Sequence, residues 1–314
     1  MNESAKLGTQ PVPAAATPSL LESGTFPKRL RSFGWAGLAL VLCFAFPLFD
    51  LMRFAITSTL YSYILLIPFI SFYLVWTQRR NLPCDARPAN KLGMLFLLLG
   101  GAATGIYWLA LRDSSNLMET DYLAIMTLSF VLFFLGICGL FWGKEILRQL
   151  AFPLGFIFFM VPIPAIALPA IDSFLQNGSA VVARQFFNCS GTPFFEDGLN
   201  FQLPDITLQI APECSGIHST LVLLITGLLA GYFFLKSPWK RTLLAVVVIP
   251  LALLRNGFRV FTIGELCVHI GPQMINSPIH RKGGPIFFAL SLIPLFLLLL
   301  VLYKSERNRK HQNP

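Results

Sequence analysis

Eight long apolar runs constrain this chain more than any other feature. They lie roughly at 34–55, 58–76, 92–111, 121–142, 148–170, 216–235, 241–263 and 284–303. Each is close to the ~20 residues that a helix rising ~1.5 Å per residue needs to cross a hydrocarbon core of ~30 Å. Of the 314 residues, 55% are hydrophobic and only 12% charged, against about 25% charged in a soluble domain. A water-soluble core cannot hide that much apolar surface. The expected fold is therefore an all-α membrane protein with about eight transmembrane helices spanning 34–303. Pro162 and Pro164 fall inside the fifth run, and membrane helices accept proline when neighbours re-satisfy the freed backbone groups.

Basic residues set the orientation. Placing Lys6, Lys28, Arg29 and Arg31 inside also puts Arg79, Arg80, Arg87, Lys91, Lys144, Arg148, Lys236, Lys240, Arg241, Lys304, Arg307, Arg309 and Lys310 inside. These are most of the 24 Lys and Arg. Both termini are then cytoplasmic, as the positive-inside rule requires for an even number of spans. Residues 1–33 read as a flexible cytoplasmic tail and 304–314 as a basic one. A net charge of +9 would suggest nucleic acid in a soluble protein. Here the charge sits beside bilayer spans, so the lipid bilayer is the expected partner and nucleic acid is not.

One outer loop is long, at 171–215. Its first part places Ile171, Phe174, Leu175, Ala180, Val181, Val182 and Phe186 at near-helical spacing, as in a helix lying in the outer membrane interface. Its second part alternates Phe201, Leu203, Ile206, Leu208 and Ile210 with polar residues. That pattern predicts a short extended hairpin or lid before span six, turning at Pro204-Asp205.

Three polar groups cluster at the outer ends of the last three spans. Glu213-Cys214-Ser215-Gly216 precedes span six, where free backbone N–H groups and the helix dipole favour a thiolate. Span seven holds Arg255-Asn256-Gly257-Phe258-Arg259. Counted from Arg241, the two arginines are about 21 and 27 Å along the helix and share one face. Arginine at such depth needs a partner, and for Arg255 an acid such as Glu265 or Asp172, or a substrate carboxylate, would serve. His280, just before span eight, has a side chain suited to proton transfer near neutral pH, with His218 and His269 as rivals. A nucleophile, a base and a cation are the three roles that attack on a carbonyl needs.

The six cysteines show no CxxC spacing, and no HExxH occurs, so no metal site or cofactor is expected. A disulfide among Cys189, Cys214 and Cys267 is left open. Two other functional classes fit the same residues. A flippase or transporter for a polysaccharide lipid would use the arginines and not the thiol. A non-catalytic envelope scaffold would use the cluster for stability alone.

Glu213-Cys214-Ser215-Gly216, Asn256-Gly257-Phe258-Arg259, and His280 followed by Gly284 and Phe288 together resemble the exosortase/archaeosortase family of membrane transpeptidases. The resemblance centres on 205–295. It implies catalytic roles for Cys214, Arg259 and His280, with Glu213, Ser215, Asn256 and Arg255 supporting the site or binding substrate. It further implies membrane-anchored protein substrates bearing a C-terminal sorting tail. The implied location is the inner or plasma membrane of a prokaryote.

Overall fold

The computed structural model describes residues 26–79, 90–111, 118–204, 206–212, 215–277 and 283–312. Ten α-helices and a small sheet occur among them. Five helical segments are long and apolar enough to cross a bilayer: Asn90–Leu109, Glu119–Gln149, Ile217–Phe234, Pro238–His269 and Gly284–Asn308. A sixth span results if the bent pair Arg29–Cys43 and Ala45–Thr57 counts as one. The remaining two of the eight expected runs are the shorter apolar helices Ser62–Gln78 and Ala151–Met160. The protein is thus an all-α, multi-pass membrane protein.

The chain forms two compact units. One comprises Met1–Met52 and Leu66–Val161, the other Arg53–Leu65 and Pro162–Pro314. α1 (Phe26–Cys43), in the first unit, meets α2 (Ala45–Thr57), which belongs to that unit as far as Met52, at a 68° bend. Pro47 explains it, because proline has no N–H for the Cys43 carbonyl and its ring clashes with that group. α3 (Ile67–Gln78), α4 (Asn90–Ile106), α5 (Glu119–Gln149) and α6 (Ala151–Phe156) complete the unit. α4 packs along α5. α5 breaks at Gly143, whose φ of 83° suits a residue without a Cβ. The core beneath contains Val131, Leu135, Cys138, Leu147 and Leu154.

The fifth expected run, 148–170, is not continuous. α6 passes into a 3-10 turn at Ile157–Met160, and the chain is extended at Val161. A residue that precedes proline is driven out of the helical region, and Pro162 and Pro164 follow here. Helix resumes as α7 (Leu168–Ser190). The helix expected in the first part of the segment after 171 is present, as part of a 23-residue helix that begins at Leu168.

The second unit is built around α9 (Pro238–His269), which packs against α7, α8 (Ile217–Phe234) and α10 (Gly284–Gln312). Between α7 and α8 lies an antiparallel sheet of β1 (Phe195–Asp197), β2 (Asn200–Leu203) and β3 (Ile206–Gln209), in that order. Phe201 pairs with Leu208 and Leu203 with Ile206. Pro204 follows β2, and Asp205 lies outside the described residues. Alternation puts Phe201, Leu203 and Leu208 inward, onto Phe187 of α7 and Ile263 and Cys267 of α9. Burying such side chains is what holds the sheet to the helices, at about 1.5–3 kcal/mol for each large one. Arg184 on α7 fastens the outer side with a two-pronged ion pair to Glu196 of β1, at 2.5 and 2.6 Å. Among the described cysteines, Cys43, Cys138, Cys189 and Cys267 are free thiols.

At the other end of this unit, the Glu306 carboxylate of α10 accepts the backbone N–H groups of Lys236 and Ser237, at 3.0 and 2.8 Å. Buried Lys240 donates to the Leu302 carbonyl at 3.0 Å. The start of α9 has N–H groups with no partner in their own helix, and α10 supplies one. Removing the carboxylate with Glu306→Ala is expected to cost about 1–3 kcal/mol. The check is thermal unfolding of the purified protein in detergent, where Glu306→Gln should lose less.

Candidate functional site

Every described member of the predicted site belongs to the second unit. Ser215, Arg255, Asn256 and Arg259 are described; Glu213, Cys214 and His280 lie outside the described residues. The site can therefore be built from the residues that flank the cysteine and from the helices that hold them.

α8 begins at Ile217, and its N-cap is Gly216 with φ 75° and ψ 19°. The left-handed conformation favours glycine, and a Cβ would crowd two α9 side chains. A Cβ there would lie 2.7 Å from Arg255 Nη2 and 3.3 Å from Asn256 Oδ1. The Gly of Glu-Cys-Ser-Gly thus turns the chain into α8 directly beneath two side chains of α9. Ahead of it, the N–H of Ser215 donates to the carbonyl of Pro212 at 3.0 Å.

Two consecutive α9 residues hold two consecutive carbonyls of this segment. The Asn256 side-chain amide donates to the Ser215 carbonyl at 3.3 Å, and Arg255 Nη2 donates to the Gly216 carbonyl at 3.2 Å. The Gly216 carbonyl also accepts the hydroxyls of Ser219 and Thr220 and the N–H of Thr220. Arg255 Nη2 stands 3.5 Å from Thr220 Oγ1. The Ser215 side chain is fully buried, and its hydroxyl donates to Asp172 Oδ1 at 2.6 Å.

α7 closes the site from a third side. Asn256 Nδ2 also donates to Ser179 Oγ at 3.0 Å, and that hydroxyl donates on to the Leu175 carbonyl at 2.6 Å. Gln176 donates to the Ile210 carbonyl just after β3, at 3.0 Å. The close approach depends on Gly257, where a Cβ would stand 2.6 Å from Val182 Cβ and 2.9 Å from the Ser179 carbonyl. The glycine inside Asn-Gly-Phe-Arg is therefore a contact point between helices, as small residues often are in membrane bundles. It lets its neighbour Asn256 reach Ser179. Arg259, one turn on from Arg255 and half-buried, lines a small cavity with Asn256, Leu208, Ile210 and Ile263. The end of the hairpin thus borders the face of α9 that carries the second arginine.

The acids proposed as partners for Arg255 are engaged elsewhere. Asp172 takes the Ser215 hydroxyl. Glu265 accepts Ser190 at 3.0 Å and Thr192 at 2.5 Å, and pairs with His269 Nε2 at 3.0 Å. Arg184 is ion-paired with Glu196, and His269 Nε2 lies 3.0 Å from Glu265 Oε2. Arg255 is only 7% exposed, and its Nη1 is buried without a hydrogen-bond partner among these residues. The rival histidines are also accounted for. His269 is exposed and faces Glu265, and His218 Nδ1 lies 3.1 Å from the Leu60 carbonyl, so its Nδ1 carries the proton. Among the described residues, no group of His, Cys, Asp and Glu is arranged to hold a metal ion.

Sequence reasoning missed Gln176, Ser179 and Thr220, and assigned Asp172 the wrong partner. A signal was there. Asp172, Gln176 and Ser179 recur at helical spacing on one face of α7.

The family description "Transmembrane exosortase" (Exosortase_EpsH) matches residues 53–297. The matched stretch includes the segment before α8, the Asn256–Arg259 face and His280, and covers most of the chain. The chain belongs to the transmembrane exosortase family. It matches no curated protein and no solved structure.

Asn256 is 2% exposed and joins three elements. Asn256→Ala would leave the Ser215 carbonyl without that donor and remove the tie to α7. The expected cost is about 1–3 kcal/mol, read as a lower unfolding temperature in detergent, with Ser179→Ala adding little to it because the two share one network.

Proposed function

We propose that this protein is a membrane-embedded cysteine transpeptidase or protease that cleaves the C-terminal sorting tails of exported surface proteins. The family match over 53–297 carries the reading, because it spans Cys214, Arg259 and His280 together. The held segment supports it. Ser215 and Gly216, immediately after Cys214, are fixed by Asp172, Asn256 and Arg255, and a nucleophile must be held within a fraction of an ångström of its productive geometry.

In the proposed reaction, the Cys214 thiolate attacks the backbone carbonyl at the sorting motif. Arg259 stabilises the tetrahedral oxyanion, an effect of about 3–4 kcal/mol for a strong donor in a water-poor site. His280 takes the thiol proton and returns it to the leaving amine. The C–N bond breaks, the tail departs, and a thioester links the substrate's N-terminal part to Cys214. An acceptor amine or water then attacks the thioester and restores the thiol. Asn256 orients the segment that carries the nucleophile. The β2–β3 hairpin, next to Arg259, acts as a lid over the scissile bond.

The membrane arrangement belongs to the same proposal. Eight spans, with the broken and short helices counted as crossings, place both termini in the cytoplasm of a prokaryote and the site at the outer face. The substrate's own membrane span packs beside α8, α9 and α10.

Co-expression of a tagged sorting-tail protein with wild type or Cys214→Ala tests the reading by immunoblot. Wild type should shorten the substrate, and an equally abundant Cys214→Ala should not. Shortening by both would remove Cys214 as nucleophile. Arg259→Lys should lose processing by two orders of magnitude or more despite retaining charge, because the planar fork of donors is gone. Near-normal processing by that variant would contradict the oxyanion role.

A further inference from the structure

The two edges of the small sheet differ in chemistry. β1 forms one edge and carries two acids, Glu196 and Asp197. β3 forms the other, and its Ile206-Thr207-Leu208-Gln209 holds no charge and no proline. Its register with β2 runs without a bulge. Charge, proline and bulges are the usual guards of a free edge, because the unpaired N–H and C=O groups there accept another strand. β3 has none of these guards.

The register also fixes which groups of β3 face outward. The N–H of Ile210 donates to the Leu199 carbonyl at 3.0 Å, so these two residues form a hydrogen-bonded pair. Such pairs alternate with non-bonded ones along an antiparallel ladder. Phe201 with Leu208 and Leu203 with Ile206 are therefore the next hydrogen-bonded pairs. Thr207 and Gln209 fall between them, and their backbone groups point away from β2. The Gln209 carbonyl accepts the N–H of Ala211 at 3.1 Å. The Thr207 N–H, the Thr207 carbonyl and the Gln209 N–H have no protein partner among the described residues.

This edge leads to the face of α9 already described. Leu208, Gln209 and Ile210 border the same small cavity as Asn256, Arg259 and Ile263. β3 is also held firmly, by Leu208 in the core beneath it and by the bond from Gln176 to the Ile210 carbonyl. A strand laid along β3 alternates its side chains between two faces. One set points outward with the exposed Thr207 and Gln209, and the other points inward beside the buried Leu208 and Ile210. With Arg259 alongside, the inward positions suit an apolar or acidic residue and repel a basic one.

We propose that the free edge of β3 binds an extended segment of the substrate, which pairs with it as a fourth strand and is thereby led along α9 to Arg259. This role presupposes the peptide-cleaving reading of the proposed function and adds how the substrate is held. Main-chain pairing supplies affinity whatever the substrate's side chains, and the inward positions supply selectivity. A firmly held template also orients the substrate backbone before reaction.

Photo-cross-linking of the full-length protein in membranes tests the proposal. The photoreactive residue p-benzoylphenylalanine replaces Thr207 on β3, or Phe195 on β1, in a Cys214→Ala protein co-expressed with a tagged sorting-tail protein. Directly opposed side chains on paired strands are ~4.5–5.5 Å apart, so the β3 probe should capture the substrate at least about tenfold more than the β1 probe. Mass spectrometry should map the attachment to the residues just ahead of the substrate's membrane span. No substrate adduct from the β3 probe overturns the proposal. Equal capture from both edges, or capture of a second copy of this chain in place of the substrate, also overturns it. In an otherwise wild-type protein, Thr207→Pro removes an outward N–H and leaves the pairing with β2 intact. At matched abundance it should process about tenfold less substrate than Thr207→Ala, which keeps that donor. Equal processing by the two overturns the proposal. If wild type cleaves the substrate through Cys214 and the β3 probe captures nothing, the edge role fails and the proposed function stands. If the β3 probe captures the substrate and cleavage proves independent of Cys214, the edge role stands and the proposed chemistry fails.

Discussion

The second unit depends on one buried amide. Asn256 sits in the middle of α9, where an unpaired polar group would cost several kcal/mol in hydrocarbon. It avoids that cost by donating to Ser179 of α7 and to the carbonyl of Ser215 ahead of α8. Three elements are thereby fixed in register by a single side chain. Apolar packing alone would not do this, because lipid tails are as apolar as the helix faces and leave little driving force for one register over another. Gly257 beside it removes the Cβ that would hold α7 away. Asparagine and glycine in Asn-Gly-Phe-Arg thus serve the same contact.

From that contact the rest of the site follows. With α7 and α9 joined, Asp172 reaches Ser215, and Gln176 reaches the Ile210 carbonyl at the end of the hairpin. The sheet can then cover Phe187, Ile263 and Cys267 with Phe201 and Leu208. The chain entering α8 is gripped from both neighbouring helices, and it turns at Gly216, whose left-handed φ of 75° favours glycine. Rigidity of this kind suits a nucleophile that has to meet a backbone carbonyl at one angle. Cys214, the nucleophile of the proposed function, immediately precedes Ser215 in the sequence.

Much of this was legible in the sequence because bilayer thickness and helical rise make long apolar runs hard to misread. The helices α4, α5, α8, α9 and α10 fall where the runs predict. The alternation of Phe201, Leu203 and Leu208 is the inward face of the β2–β3 hairpin. What composition could not convey was continuity. The run at 148–170 is almost entirely apolar after Gln149, but the backbone limits imposed by Pro162 and Pro164 split it, and the helix after the break begins early enough to pack on α9. Hydropathy also hid the polar stripe of α7. Asp172, Gln176 and Ser179 lie among other polar residues of the same helix, and their meaning comes from residues on other helices. Arg255 was visible as an oddity, but its partner was not, because a backbone carbonyl leaves no mark in a sequence.

The central claim is that Cys214 forms a covalent thioester with the substrate. Its most direct measurement is mass spectrometry of the purified enzyme, quenched in acid after exposure to a sorting-tail protein, with and without hydroxylamine. The account predicts an adduct on Cys214 equal to the substrate's N-terminal part, which hydroxylamine releases. Continued substrate cleavage with no hydroxylamine-sensitive adduct on Cys214 would contradict it.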